Sequence, residues 1–293
     1  MVENLEGIIA PLVTPFKKNG EIDWKKTREE IYFLIDSKVN AISPGGSTGE
    51  GATLDDEELC LLVKEIRTIN SSIPIVCGII RNSTKAAVRA AKAAAYAGAD
   101  ALMITPVSYN VLVPDDEGNY SFYKTISDNI SLPIIIYNVV LQNVITPELF
   151  YKMLDIKNVY GIKQSCGGIS AFYDMMVKCE SKGKIFSATD EMIASTFELG
   201  AYGAISAILS VFPKETVKIW KLVKDSNIKK ALEMQKRLYP VWMAIAGNQF
   251  PIRVKYAIKL LGRDLGYTRS PICHMAKEEK LKIRKTLKDA ELI

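Results

Sequence analysis

The stretch Thr84–Pro106, TKAAVRAAKAAAYAGADALMITP, contains one full step of the fold. Thr84–Ala97 is alanine-rich with spaced cationic residues, a composition that favours helix. Ala97-Gly98-Ala99-Asp100 follows, with glycine where a helix end needs a left-handed residue. Ala101–Pro106 is then a short apolar run, as expected of a parallel strand covered by helices rather than of a half-solvated one.

Outward from this stretch the same step recurs. Apolar runs rich in Val and Ile lie at Gly7–Pro15, Asn40–Gly45, Pro74–Ile80, Pro133–Asn138, Val159–Lys163, Lys184–Ala188 and Gly203–Ile208. Helical stretches such as Trp24–Ser37 and Asp55–Ile69 separate them, the latter opening on carboxylates that suit a helix N-terminus. Leu199-Gly200-Ala201 repeats the glycine turn, and Lys38-Val39-Asn40-Ala41 is a degenerate copy. Pro74 and Pro133 open strands, where a missing N–H costs least. Eight strand–helix units in series predict a closed (β/α)8 TIM barrel. A doubly wound dinucleotide-binding sheet would carry G-x-G-x-x-G after its first strand, where this chain has Val13-Thr14-Pro15-Phe16. Residues 1–224 are assigned to the barrel and 225–293 to an appended helical layer packed on it. Pro240 and Pro251 are read as helix breaks or starts.

Composition narrows the chemistry. The net charge of +5 is spread along the chain with no basic stripe interleaved with aromatics, so nucleic acid is not expected as a partner. No run approaches the ~20 apolar residues that span a bilayer, and no secretory leader pattern opens the chain. Five cysteines, Cys60, Cys77, Cys166, Cys179 and Cys273, contain no C-x-x-C pair, so each is read as a small buried hydrophobe in a reduced, cytoplasmic protein. His274 is the only histidine. Most metal sites and most acid–base devices lean on imidazole, so Lys, Tyr, Ser, Thr and carboxylates must run any chemistry, with no metal.

A barrel of this kind works at the C-terminal ends of its strands. After strand 2 stands Gly45-Gly46-Ser47-Thr48-Gly49-Glu50-Gly51, a glycine-rich turn that offers N–H donors to a small anion or merely caps the next helix. Strand 5 ends in Tyr137, a phenol at the barrel mouth or a packing aromatic. Strand 6 ends in Lys163. Burial favours a lysine's neutral amine, the form that attacks a carbonyl, although a stem that snorkels to solvent is the plainer reading. With no histidine near, Tyr137 is the proton shuttle that a carbinolamine at Lys163 would need. Strand 7 ends in Asp190 and Glu191, either acceptors for substrate hydroxyls or an acidic helix cap. Strand 8 contributes Ile205 and Ser206.

On the motifs Gly45–Glu50, Ile135–Asn138 and Gly161–Ser165, in that order and spacing, nearly the whole chain resembles the family of dihydrodipicolinate synthase and N-acetylneuraminate lyase. The resemblance implies a (β/α)8 barrel with a C-terminal helical layer, a homotetramer, and no metal or organic cofactor. It implies Lys163 as the Schiff-base lysine, Tyr137 as the proton relay, and Ser47 with Thr48 as the holders of the pyruvate carboxylate, Thr48 also joining the hydroxyl relay. Ile205 matches a position lining the pyruvate pocket, and Ser165 a hydroxyl of the lyase branch. Tyr109 is the nearest equivalent of a tyrosine that reaches into a neighbouring subunit's site, one residue out of step. Gln142 stands where the synthase carries an arginine that clamps a second carboxylate, and an amide makes no bidentate ion pair. Gly45-Gly46-Ser47 and Asp190-Glu191 resemble the sialic acid lyase branch instead. The expected substrates are therefore pyruvate and an aldehyde, joined or released as a 2-oxo-3-deoxy sugar acid or related hydroxy-oxo acid. The alternatives are the synthase proper, with aspartate semialdehyde, and a non-catalytic ligand-binding barrel.

Overall fold

The computed structural model describes residues 5–272 and 274–293; the expectation for Cys273 lies outside the described residues. The eight strands are β1 (Gly7–Pro11), β2 (Ala41–Ser43), β3 (Val76–Ile79), β4 (Ala101–Ile104), β5 (Ile134–Asn138), β6 (Val159–Gln164), β7 (Lys184–Ser187) and β8 (Gly203–Ala204). Each lies within an apolar run of the sequence or overlaps it closely, and all are parallel in the order β2-β1-β8-β7-β6-β5-β4-β3. The two ends of that row meet. Ile42 bridges Ile75, the Ile42 N–H donates to Pro74 O at 3.0 Å, and the Gly78 N–H donates to Pro44 O at 2.8 Å. This closure makes the sheet a TIM barrel.

Helices α1 (Trp24–Asp36), α2 (Asp56–Ile69), α3 (Thr84–Ala97), α4 (Asp116–Asn129), α5 (Pro147–Met153), α6 (Gly168–Cys179) and α7 (Ile193–Glu198) follow the first seven strands. The short α8 (Ile208–Val211) and α9 (Pro213–Lys224) follow β8, and α10 (Ile228–Ile245), α11 (Phe250–Leu260) and α12 (Lys277–Asp289) form the C-terminal helices. Local chemistry sets the boundaries. Asp55 caps α2 in a reciprocal capping box with Glu58, an arrangement worth about 1 kcal/mol. Gly98 ends α3 at φ 103°, as the turn required. Pro251 stands in the first turn of α11, but Pro240 breaks nothing: α10 continues through it to Ile245. The apolar face of that helix, with Ala231, Leu238, Val241 and Trp242 buried, holds it together across the lost hydrogen bond.

Two cores result. The barrel interior is filled by Leu5, Ile9, Ala41, Val76, Ala101, Met103, Ile135, Tyr137, Phe186 and Ile205, and a larger apolar shell joins strands to helices. At the lower end Tyr202 meets Phe186 edge-on at 5.6 Å, so the interior is packed rather than a pore. Cys77, Cys166 and Cys179 are buried as expected, whereas Cys60 on α2 is only half-buried, at the edge of the core. No helix among the described residues is long and apolar enough to cross a membrane.

Candidate active site

A single irregularity between β5 and β6 builds the centre of the mouth. Ile134 pairs with Val159, but Ile135 pairs with Gly161, so β6 holds one extra residue. Without that bulge Tyr137 would sit beside Ile162, and Lys163 would face the opposite side of the sheet. With it, Tyr137 pairs with Lys163 and both point into the barrel. Gly161 allows the step, since a Cβ there would stand 2.3 Å from Lys184 O. One residue further, Asn138 and Gln164 pair on the outer face, where Asn138 Nδ2 donates to Gln164 Oε1 at 2.8 Å. Asn138 also binds both the N–H and the carbonyl of Ile145, and Gln164 donates to Cys166 O at 2.8 Å. This buried amide lattice locks the register that brings Tyr137 and Lys163 together.

Lys163 is 4 % exposed, and its Nζ lies 3.6 Å from the centroid of the Tyr137 ring. The snorkelling alternative is therefore excluded. The Tyr137 hydroxyl donates to Ser47 Oγ at 3.2 Å, so amine, phenol and loop hydroxyl form one cluster from β6, β5 and the turn after β2. That turn needs its glycines. Gly45 has φ +75°, and a Cβ on Gly51 would stand 1.7 Å from Gly45 O. Ser47–Gly49 form one turn of 3-10 helix whose first N–H groups, those of Ser47 and Thr48, have no hydrogen-bond partner among the described residues. Two free donors beside a hydroxyl suit a carboxylate.

The other predicted residues are distributed around this cluster. Ile205 fills the barrel interior, and Ser165 is buried with its hydroxyl unpartnered. Ser206 is buried on the outer side, against Asp190. Asp190 has one oxygen committed to the fold, accepting the Ile208 N–H at the start of α8 at 2.8 Å. Burial pushes its carboxyl up to about 7, opposed by that N–H, Ser206 and the charge of Lys163. Glu191 lies half-buried in the same short turn. Gln142 is exposed on the β5–α5 loop, its Nε2 donating to Ser108 O. Tyr109 stands apart from the cluster, 59 % exposed on the β4–α4 loop near Val111 and Leu112. A cavity of about 510 Å³ opens beside Ser47, lined also by Thr105, Ser108, Leu141, Gln142 and Arg269 among others. Its walls include neither Lys163 nor Tyr137, and it adjoins their cluster through Ser47.

Sequence reading passed over Ser43 and Thr105, whose buried hydroxyls also lack partners at the ends of β2 and β4. Alternation inward from Ala41 and from Ala101 with Met103 would have found both, because each places the hydroxyl on the barrel's inner face. No group of three or more His, Cys, Asp or Glu able to hold a metal ion occurs among the described residues.

The model of the dihydrodipicolinate synthetase family matches residues 4–290. The chain belongs to that family. It is 34 % identical over 290 residues to the 4-hydroxy-tetrahydrodipicolinate synthase of Archaeoglobus fulgidus, covering 98 % of this chain and 99 % of that one. The synthase of Clostridium novyi is 33 % identical over 277 residues, 94 % of this chain and 92 % of its own. Among solved structures, the chloride-inhibited dihydrodipicolinate synthase from Acinetobacter baumannii complexed with pyruvate superposes with a TM-score of 0.93 at 30 % identity, over 99 % of this chain and all of that one. CdNal from Clostridium difficile, in complex with mannosamine, gives 0.88 at 26 % identity over 98 % and 99 % of the two chains. As a family member, the chain is a class I pyruvate-dependent lyase of the Schiff-base type.

Proposed function

We propose that Lys163 forms the imine with pyruvate and that the enzyme joins the resulting nucleophile to a carboxylate-bearing aldehyde, aspartate semialdehyde first among them. The observation that carries the reading is the Lys163–Tyr137–Ser47 cluster, with Nζ 3.6 Å from the Tyr137 ring and that hydroxyl 3.2 Å from Ser47 Oγ. The amine adds to C2 of pyruvate, and the carbinolamine loses water to give a protonated imine. Tyr137 moves the protons, with Ser47 as its neighbour in the relay, and Thr48 and Ser47 hold the carboxylate on their free N–H groups. The imine is an electron sink: loss of a C3 proton gives the enamine, which attacks the aldehyde carbon, and hydrolysis frees Lys163. Ser43, Thr105 and Ser165 provide unpartnered hydroxyls around the inner wall for water or substrate oxygens.

The synthase reading displaces the expected sugar-acid lyase on two grounds. Relatives at 33–34 % identity over almost the full chain carry the synthase name. The carboxylate pair meant to read hydroxyls has lost one oxygen of Asp190 to the α8 backbone. Gln142 still favours the lyase reading, because Arg269, the one cation among the described residues that lines the cavity, is already engaged with Glu58, Gly20 O and Thr53 O. Competition decides between them: kcat/KM is measured with pyruvate and either aspartate semialdehyde or a polyhydroxylated aldehyde. The synthase reading expects the semialdehyde to lead by at least about tenfold, roughly 1.4 kcal/mol of transition-state preference. A reversed ratio returns the sugar-acid reading. The assembly belongs to the same proposal: a homotetramer in which Tyr109, Val111, Leu112 and Leu141, all more than half exposed in the single chain, are covered by a neighbour.

A further inference from the structure

The turn that presents Ser47 and Thr48 is anchored from outside the barrel. Glu50 closes it in a left-handed conformation, φ 57° and ψ 33°. Glu50 Oε1 accepts from Lys255 Nζ at 2.6 Å, and Oε2 accepts from the Arg269 N–H at 2.8 Å. Lys255 lies on α11, 205 residues along the chain, and the two side chains are only 4 % and 2 % exposed. The ammonium also donates to Tyr267 O at 2.5 Å and lies 4.7 Å from the Phe16 ring centroid. Two further bonds hold the same turn: Thr14 Oγ1 donates to Gly49 O at 2.7 Å, and Thr53 Oγ1 donates to Glu50 O at 2.8 Å.

A buried ion pair is a poor device for stability alone. Desolvating both charges offsets most of their attraction, and a well-packed apolar pair often serves as well. What such a pair adds is a fixed geometry, because neither partner has another arrangement that satisfies its charge. The element so fixed carries the two unpaired N–H groups and the hydroxyl bonded to Tyr137.

We propose that Glu50 and Lys255 are positioning residues for pyruvate: their ion pair sets the Ser47–Thr48 turn in the geometry that receives the carboxylate. The C-terminal helices are thereby part of the active site: α11 holds the turn through Lys255 and lines the adjoining cavity through Pro251. This inference rests on the reading of Lys163 and of Ser47 with Thr48 given above.

The test follows borohydride trapping of pyruvate against pyruvate concentration in two variants. Glu50→Asp keeps both charges and withdraws the carboxylate by one methylene. The double variant Glu50→Gln with Lys255→Met removes both charges at similar volume, so neither protein is left with an unpaired buried charge. The half-saturating pyruvate concentration is expected to rise at least about tenfold in both, while labelling at saturation still approaches one per chain. A folded variant of either kind whose half-saturation stays within about twofold of wild type overturns the proposal. So does a lowered Tm with reduced maximal labelling at unchanged half-saturation, and so does failure of both variants to fold, because each assigns the pair to stability. A wild-type chain that pyruvate does not label contradicts the Schiff-base reading itself.

Discussion

Tyr137 serves two neighbours at once, its ring face turned to Lys163 Nζ and its hydroxyl bonded to Ser47. Removing only the hydroxyl keeps the ring contact but breaks the proposed proton relay. Tyr137→Phe should therefore lower kcat by about two to four orders of magnitude, the range for a positioned acid–base group. Steady-state kinetics on a variant with unchanged Tm checks this, and near-normal turnover would move the relay elsewhere. Lys163 and Tyr137 were legible in the sequence because each is polar where an apolar strand ends, and barrel strands end at the mouth, whereas Ser47 stood out through the glycine-rich turn around it. Lys255 was not legible. It reads as one more helical lysine, and only the closed fold shows that Glu50, 205 residues earlier, faces it. Asp190 was half legible, since adjacent carboxylates suggest either a cap or a site, and the helix it caps is α8 rather than the one that follows at once.

At the scale of elements, strand positions followed from apolar runs and glycine turns, but the β6 bulge did not. Nothing in Val159–Gln164 marks the extra residue except Gly161, whose need appears only against β7. Glu30 shows how the C-terminal layer is tied to the barrel. This α1 carboxylate is 1 % exposed, bonded through Oε1 to Arg263 at 2.6 Å, and its Oε2 has no partner. Arg263 also donates to the carbonyls of Ser210 and Val211 and lies 4.0 Å from the Phe33 ring centroid. Burial pushes Glu30 up to about 7 from an ordinary 4.5, against the pull of Arg263. Between 4.5 and about 7 the folded state thus retains a proton that the unfolded state releases. The resulting stability is fully present below 4.5 and is lost as pH rises through 7, on the order of 3 kcal/mol at most. Glu30→Gln should flatten the dependence of unfolding free energy on pH between 4.5 and 7, read by urea titrations at several pH values. Parallel curves for wild type and variant would show that Glu30 does not titrate in this window.

For the whole molecule, the barrel supplies a rigid ring of strand ends, and the appended helices brace the Ser47–Thr48 turn proposed to receive the pyruvate carboxylate. The exposed apolar side chains of Tyr109, Val111, Leu112 and Leu141 mark a face that a neighbouring copy should cover. Sedimentation velocity should find a tetramer, and Tyr109→Phe should lower turnover only if that tyrosine completes an adjoining site. A fully active monomer would contradict both. The central claim is that pyruvate becomes covalently attached to Lys163, and it is read most directly from the mass of the intact chain. After incubation with pyruvate and borohydride, the chain should gain one reduced pyruvate, located by peptide mapping at Lys163, and Lys163→Ala should gain none. An unlabelled wild type, or a label that persists in a folded Lys163→Ala, would contradict the account.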